Sequence, residues 1–532
     1  MKKKNLDMIK NIKMLLSCTV LLSLSIQFSY AQKTKTYIEK LKMSNQWFYN
    51  TNNAAGLQLD NIEYYSQLEA FYNYTNGDYK FAQEGKKNTG YGFYTDGGGN
   101  VKSLKNAFAW GSFNYSRTKK RDAEYNASLI DPLRGTPFFI ADDNKSNWIN
   151  QNYNLSMKLA SPIMFDHFIL GISANYINSI GAKQIDPRPE VLLSKIQVIP
   201  SIVYFTGKHS IGLDFNYNSR REDGTASNSI NLFNQTVWEF VAPGYFQKGE
   251  IGGNGLSGLR NYNANAMGGG LQYGYKLGKG QVLLSGNYLY KVEDVTNSYS
   301  VPKFVGTTKD ITYDIKLNVK YNFNASNLLL AELSYSDRSL DGIEYIQIYN
   351  NDFENASWDV IAKNIRSNFD TKNTKLQLDY FKSNDNGLAY NWKAHLDVNL
   401  QDYSYIYYIP KSTEDVTNLY INLGLNKNFK LESNSLNVGF HTGYKFNQDK
   451  GLSYTGVHAD SQAYTDFTLR DYDYLSSDNF RLGADVTFNF NSLVQGASSL
   501  FTKLTADYYK ANDDLDLFDN RTFLNLTIGL IF

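Results

Sequence analysis

Apolar and polar residues alternate along most of this chain, over stretches longer than ordinary soluble strands. From Tyr313 to Phe323 every second residue is apolar or aromatic, and polar residues stand between them. The same period of two runs through Tyr390–Gln401, Phe480–Asn491 and Leu524–Phe532. This period predicts strands with one apolar and one polar face. Their length suits the roughly 9–11 residues of a tilted transmembrane strand, whereas soluble strands average about 5–6.

Turn-forming residues divide the connections between these strands into two kinds. Short connections rich in Gly, Asn, Ser and Lys are predicted at 206–209, 276–281, 323–328, 383–389 and 428–435. Long connections are predicted at 118–150, 221–262, 339–371 and 447–479. Outer-membrane barrels have short periplasmic turns and long extracellular loops. The pattern therefore predicts an all-β, transmembrane antiparallel β-barrel of about 18 strands, with 16 as the fallback because such barrels have even counts.

The alternation is least regular between residues 63 and 117. Gly90 to Asn100 interrupts it, and the facing of Phe108 and Trp110 stays open. Strand boundaries are least defined in this stretch.

The composition is aromatic but hydrophilic. The chain has 42 Tyr, 32 Phe and 6 Trp, yet its mean hydropathy is −0.44. Beyond residue 31 no apolar run approaches the roughly 20 residues of a spanning helix. Such a chain crosses a bilayer when each strand shows lipid only half of its residues. A secreted β-sandwich or a repeat of sheets is the soluble alternative, and the long alternation favours a barrel among outer-membrane lipids.

The first 31 residues have the parts of a secretory signal. Five lysines precede the apolar stretch Met14–Phe28, and Ser29-Tyr30-Ala31 precedes Gln32. A lipoprotein is the alternative, because Leu15-Leu16-Ser17-Cys18 loosely matches a lipobox. We expect a signal peptide at 1–31, an N-terminal periplasmic or lumenal segment at 32–62 and the barrel at 63–532. The only cysteine lies in the predicted signal, so we expect no disulfide in the mature chain. Removal of the signal also lowers the formal net charge from +1 to about −3, so we expect no nucleic-acid partner.

Two short motifs carry a family resemblance. Trp47 and Asn53-Ala54-Ala55-Gly56-Leu57 look like the Asn-Pro-Ala-Gly-Leu opening of hatch-bearing barrels related to long-chain fatty-acid transporters, although Ala54 replaces the proline. The terminal Phe532 resembles the assembly signal that the barrel-assembly machinery reads. Together with the barrel pattern, these features resemble an uncharacterised, domain-of-unknown-function family of Gram-negative outer-membrane barrels. That family implies no activity. Members of such families are often encoded beside TonB-dependent uptake receptors, which suggests a link to nutrient or iron acquisition. Residues 32–62 are too short for the plug domain of such a receptor.

Polar side chains on the face opposite lipid are candidates for a lumenal site. Eight cations and six anions fall on this face by alternation. The lumen candidates are Lys316, Lys320, Lys375, Lys393, His395, Asp397, His441, Lys445, Arg481 and Asp485. This near balance favours either a weakly selective aqueous channel or salt-bridged walls around an inserted loop. Charges that are merely solvated or paired are the alternative reading of each position.

A barrel of this size leaves an opening unless something fills it. The best candidate is the loop from Arg220 to Tyr262, which combines aromatic residues with the glycine-rich Gly249–Gly258. Its constriction or ligand candidates are Trp238, Phe240, Tyr245, Phe246 and Arg260. We expect this loop, with residues 32–62, to constrict the channel or to bind a ligand at its mouth. An external loop that packs on its neighbours is the alternative.

Enzymatic and cofactor chemistry find little support in the sequence. His395 and His441 face the predicted lumen, but no nucleophile motif accompanies them. Gly253-x-Gly255-x-x-Gly258 lacks the βαβ unit of a dinucleotide site. The Asp513–Asp519 run lacks the ligand spacing of a calcium loop. We therefore expect no enzyme, no cofactor and no metal.

Two functional classes remain. The first is a porin-like or hatch-gated channel that passes small solutes of unknown identity across the outer membrane. The second is a closed accessory or binding barrel that partners a TonB-dependent uptake receptor, a surface lipoprotein or a secretion apparatus. An open lumen favours transport, and co-purification with a partner favours the accessory role.

Overall fold

The computed structural model describes most of the chain beyond the predicted signal. The described residues are 35–60, 62–126, 128–129, 135–142, 144–230, 232–252, 258–297, 301–352, 356–384, 387–491, 499–513 and 516–532. The predicted signal peptide at 1–31, most of the glycine motif at 253–258 and Asp514 lie outside them. Among these residues, no helix combines the length and the apolarity needed to cross a bilayer.

Eighteen strands form one closed antiparallel sheet. The first nine are β1 (Tyr65–Gly77), β2 (Lys87–Val101), β3 (Ala107–Ala123), β5 (Ser146–Ala160), β6 (Phe168–Lys183), β7 (Arg188–Thr206), β8 (His209–Ser227), β11 (Gly258–Leu277) and β12 (Gly280–Thr296). The others are β13 (Phe304–Asn324), β14 (Asn327–Asn350), β15 (Ser357–Lys382), β16 (Trp392–Tyr408), β17 (Lys411–Leu431), β18 (Asn434–Ser453), β19 (Asn479–Phe490), β20 (Ser499–Ala511) and β21 (Asn520–Ile531).

The barrel closes between its first and last strands. β1 pairs with β2 on one side, with Ala70 opposite Phe93, and with β21 on the other, with Ala70 opposite Ile528. Beyond β21 the Phe532 amide donates to the Ser66 carbonyl oxygen at 2.8 Å. The predicted 18-stranded antiparallel barrel is confirmed.

Each strand separates an apolar outer face from a polar inner one. On β17, Leu423 and Leu425 are 53% and 49% exposed on the outside, while the Asn422 amide donates inward to Asp397. A closed ring leaves no unpaired strand edge, and an apolar exterior suits hydrocarbon. The protein is therefore an outer-membrane β-barrel, as predicted.

The two ends of the barrel differ, as the sequence predicts. Only two residues separate β7 from β8, β11 from β12, β13 from β14 and β17 from β18, and this short-turn end faces the periplasm in bacterial barrels. At the other end, longer connections follow β3, β8 and β18.

One local expectation is wrong. The stretch 339–371 is mostly strand, because β14 continues to Asn350 and β15 begins at Ser357. These strands are 24 and 26 residues long, so they extend beyond the bilayer, where water on both faces removes the alternation. The irregular stretch Gly90 to Asn100, whose strand boundaries the sequence left undefined, lies within β2.

Helices precede the barrel, and small elements cover its far end. The N-terminal elements are α1 (Lys35–Ser44), α2 (Gln46–Asn50), a 3₁₀ turn (Ala54–Gly56) and α3 (Leu57–Asp60), and a 3₁₀ turn (Lys102–Leu104) joins β2 to β3. At the long-loop end β4 (Ile140–Ala141), β9 (Gln235–Ala242) and β10 (Tyr245–Ile251) form a three-stranded sheet. A π-helix (Ala463–Leu469) and α4 (Arg470–Ser476) lie beside it in the β18–β19 connection.

Candidate functional site

Residues 35–60, called here the N-terminal plug, pack inside the barrel near the short-turn end. Trp47, Ala54, Ala55 and Leu57 are fully buried. They form one apolar cluster with residues from the barrel wall: Phe108, Ala160, Ile169, Val203, Leu283, Phe501 and Ile531. The plug therefore occupies the lumen rather than lying beside the barrel.

The wall makes room for the plug with glycines on β6, β8 and β11. A Cβ atom at Gly171 would lie 2.2 Å from the Ala55 amide nitrogen. A Cβ atom at Gly212 would lie 2.8 Å from the Asn53 side-chain nitrogen, and one at Gly274 would lie 3.3 Å from the Trp47 ring. Larger residues at these positions would displace the plug.

The Asn-Ala-Ala-Gly turn is the best-anchored part of the plug. The Asn53 side-chain oxygen accepts a hydrogen bond from the Gly56 amide at 3.4 Å, and its nitrogen donates to Gln272 Oε1 at 2.8 Å. The Ala55 amide donates to Ser201 Oγ at 3.2 Å. The Asn53 side chain thus caps the turn and joins it to β11.

Lysines from the wall reach backbone oxygens of the plug. Lys158 donates to the Phe48 carbonyl at 3.2 Å, and Lys320 donates to the Ser44 carbonyl at 3.2 Å. Within the plug, Asp60 accepts the Phe48 amide at 2.7 Å. Burial raises the pKa of Asp60 to about 7, although the backbone amides that it accepts oppose the shift.

The β9–β10 hairpin crosses the mouth at the opposite end. Trp238, Phe240 and Phe246 pack with Ala82, Tyr125, Ala141 and Phe467, which come from three other connections. Phe139 stacks on Phe240 with ring centroids 4.6 Å apart. These aromatic contacts hold the long connections together as one structure, called here the loop cap.

The tip of the hairpin reaches strands far from its origin. It leaves the wall between β8 and β11, yet Tyr245 contacts Tyr407 with ring centroids 4.4 Å apart and its hydroxyl bonds Ser412 Oγ on β17. The Tyr454 hydroxyl donates to the Gly244 carbonyl at 2.7 Å. At the hairpin base, Arg260 pairs with Glu239 at 2.8 Å. The hairpin therefore bridges two sides of the mouth.

Buried ion pairs fasten the rest of the loop cap. Lys183 on β6 pairs with Asp142 beside β4, and both side chains are almost completely buried. Glu222 accepts the Leu129 amide at 3.1 Å and is paired with Arg220. Breaking a buried pair by removing one partner costs about 3–5 kcal/mol, so the Lys183–Asp142 pair holds the β3–β5 connection against the wall. Glu222 holds the same connection through the Leu129 amide, and Arg220 on the same strand compensates its charge.

The lumen candidates lie on the inner wall, and ion pairs engage several of them. The pairs are Lys316–Glu332 at 3.4 Å, Lys375–Asp397 at 3.1 Å, Lys393–Asp379 at 2.9 Å and Arg481–Asp507 at 2.7 Å. Lys445 donates to the Leu475 carbonyl at 2.5 Å, and Asp485 accepts from Asn426 at 3.4 Å. The mixed charges therefore belong largely to salt-bridged walls around inserted segments.

The two lumenal histidines stand on either side of one wall glycine. His395 and His441 are each opposite Gly424 in the strand register. His395 Nδ1 lies 2.7 Å from Asp379 Oδ1, and His441 Nε2 lies 2.7 Å from Asp507 Oδ1. Each carboxylate orients its imidazole, which is the ordinary arrangement of a paired polar histidine.

Other residues at these closures escaped the sequence reasoning. Trp110 faces inward, where its indole nitrogen donates to the Tyr65 hydroxyl at 3.0 Å. Glu414 and Asp471 line one cavity with Phe467, although Glu414 lies on β17 and the other two lie in the β18–β19 connection. By contrast, the motif Asn53–Leu57 resembles a hatch opening, and the aromatic and glycine-rich composition of the Arg220–Tyr262 loop indicated its place at the mouth.

The chain is similar to solved structures of transporters and of a siderophore receptor, at low identity. The FrpB iron transporter from Neisseria meningitidis (F3-3 variant) is 8% identical with a TM-score of 0.44, covering 90% of this chain and 83% of that one. The siderophore receptor PiuA from Acinetobacter baumannii is 9% identical with a TM-score of 0.43, covering 88% and 82%. The ferric citrate transporter FecA in the unliganded form is 10% identical with a TM-score of 0.39, covering 88% and 79%. No curated protein matches the sequence.

A closed ring with an apolar exterior and a polar, occupied lumen defines the class: an outer-membrane β-barrel protein. The chain belongs to a family of unknown function (DUF6850), whose model matches residues 54–532. The match includes most of the Asn53–Leu57 motif and the whole barrel. The predicted membership of an uncharacterised barrel family is confirmed.

Proposed function

We propose that this protein is a hatch-gated channel that passes small solutes across the outer membrane. The observation that carries the proposal is the N-terminal plug, whose Trp47 is fully buried inside the barrel. A barrel of this strand number has room for a solute path once such a segment moves. The hatch-gated reading therefore has more support than a permanently open porin.

The contacts of the plug suit a gate. Most of its hydrogen bonds to the wall join neutral groups, such as Asn53 to Gln272 and Ala55 to Ser201. A neutral hydrogen bond contributes only about 0.5–1.5 kcal/mol. The described plug has one ion pair to the wall, Lys35 to Glu69 at 3.5 Å. We propose that His395 and His441 act in the path as polar wall residues and not as catalysts.

Single-channel conductance in planar bilayers tests the proposal. Three forms are compared: the intact protein, a variant without residues 35–60, and a variant in which a short Gly-Ser linker replaces residues 235–251. We expect rare openings in the intact protein and frequent openings without the plug. Comparison of the linker variant with the variant without residues 35–60 shows whether the hairpin or the plug is the main barrier to conductance. Silence of all three folded, membrane-inserted forms would refute the channel.

A closed accessory barrel is the second candidate, and exposed apolar residues at the long-loop end favour it. Leu232 and Val457 are 90% and 86% exposed, where a partner such as an uptake receptor or a surface lipoprotein would cover them. Crosslinking from these two positions in intact cells tests this candidate. A specific adduct together with absent conductance would support the accessory role.

A further inference from the structure

An aromatic cavity of about 130 Å³ lies beneath the loop cap. Its wall side comes from β15, β16 and β17, and its upper side comes from residues 81–83, residues 135–139, Pro243 and the helices at 463–476. The cavity exists only where these connections meet the strands, so it belongs to the closed form of the mouth.

Six aromatic side chains line this cavity: Phe81, Phe139, Phe369, Tyr403, Tyr405 and Phe467. Part of this lining is set by strand register. Phe369 is opposite Tyr405 on the neighbouring strand, and Tyr405 is in turn opposite Glu414. A ring, a phenol and a carboxylate therefore stand side by side at one level of the wall.

Two carboxylates, Glu414 and Asp471, complete the lining. The Asp471 carboxylate accepts the Ala82 amide at 2.7 Å. Within the described chain, the Glu414 carboxylate accepts no hydrogen bond, and the charges that act on it are those of Asp471 and Asp415. Lys80 and Arg470 attract Asp471 but do not line the cavity. The cavity thus presents negative charge within an aromatic surround.

We propose that this cavity binds a small organic cation, such as an alkylammonium group, between the aromatic rings and Glu414. Aromatic faces attract cations, and the attraction is strongest where water is excluded. The Glu414 side chain is half-buried and accepts no hydrogen bond among the described residues, so a bound cation offsets part of the cost of its desolvation.

A second cavity fits the remainder of such a ligand. It measures about 280 Å³ and shares Phe81, Tyr403 and Leu475 with the first. Its lining adds polar groups, among them Gln401, Asn422 and Tyr420. The inference deepens the proposed function, because it rests on the same lumen and names the class of solute.

Calorimetric binding of choline to the full-length protein in detergent tests the inference. The matched probe is 3,3-dimethylbutan-1-ol, which has the shape of choline but carries no charge. We expect choline to bind at least about tenfold more tightly, because the desolvated aromatic rings and the carboxylate attract only the charged probe. Equal affinities, or no choline binding at millimolar concentration, would overturn the inference.

Adjacent carboxylates on β17 supply the matched variants. Glu414→Gln removes the charge in the cavity and is expected to weaken choline binding about tenfold or more. Asp415 is exposed on the strand face opposite Glu414 and accepts from Ser404 at 2.6 Å. Because water screens its charge, Asp415→Asn is expected to leave choline affinity within about twofold. Equal loss in both variants would show a structural effect and refute the site.

The cation site and the channel can be refuted independently of each other. Choline binding without conductance would support the cation site and refute the channel. Conductance in the variant without residues 35–60, together with no choline binding, would retain the channel and refute the cation site.

Discussion

The backbones of Gly171 and Ala55 approach so closely that no side chain fits between them. A Cβ atom at Gly171 would lie 2.2 Å from the Ala55 nitrogen and 2.7 Å from the Ala54 carbonyl carbon. These are backbone atoms, so rotation of a side chain cannot relieve the overlap. The seat of the plug is therefore built into the barrel wall as well as into the plug.

Gly171→Ala is expected to unseat the plug without changing its sequence. The methyl group forces the Ala54–Ala55 backbone to move, at a cost of about 1–3 kcal/mol for an overpacked site. We expect more frequent channel openings and faster trypsin cleavage at Lys40 and Lys42 in α1. Gly111→Ala is the matched control, because a Cβ atom there would lie 3.8 Å from the Ser156 carbonyl oxygen, at ordinary contact distance. Equal behaviour of both variants would contradict the prediction.

Trp47→Ala is expected to release the plug more completely than Trp47→Phe. Truncating a fully buried Trp costs about 3–5 kcal/mol, and Trp47 is completely buried. Its indole nitrogen has no hydrogen-bond partner among the described residues, so the Phe variant loses volume but no hydrogen bond. The same trypsin assay ranks the variants, and a Phe variant as labile as the Ala variant would count against this packing role.

Tyr245→Ala is expected to free the hairpin tip from the far wall. The change removes the ring contact with Tyr407 and the hydroxyl bond to Ser412, together worth about 1–3 kcal/mol. Hydrogen exchange should then accelerate about tenfold or more in residues 235–251. Tyr245→Phe keeps the ring and is expected to show the smaller effect. Unchanged exchange in both variants would mean that the tip is held elsewhere.

The loop cap is expected to be more stable at pH 5 than at pH 8.5. Burial raises the pKa of Asp471 to about 7, although the Ala82 amide, Lys80 and Arg470 oppose the shift and Glu84 adds to it. Glu414 faces Asp471 across the cavity. A folded pKa above the unfolded value of about 3.9 means that stability falls as pH rises between these values.

Hydrogen exchange of residues 463–476, corrected for its intrinsic pH dependence, measures this effect. The opening equilibrium should grow by more than about tenfold between the two pH values in the native protein. Asp471→Asn should reduce that change, because the amide does not ionise. A variant with the native pH dependence would assign the effect to another group.

The alternation alone predicted much of the architecture. A strand such as Tyr313–Phe323 must show one face to lipid and one to the lumen, and that constraint is local in sequence. Strand count and short turns follow from the same pattern. The prediction failed at 339–371, where β14 and β15 leave the bilayer and water wets both faces, so the apolar face is no longer required.

Only the tertiary structure shows how the N-terminal plug and the loop cap close the two ends of the barrel. The chain itself shows that Trp47 is large and that Gly171, Gly212 and Gly274 are small, but not that they meet. Likewise Glu414 and Asp471 come together only because the β18–β19 connection folds over β17. Periodicity reports which face of its own strand a residue occupies, whereas contacts between distant segments depend on how the ring closes and how its loops pack.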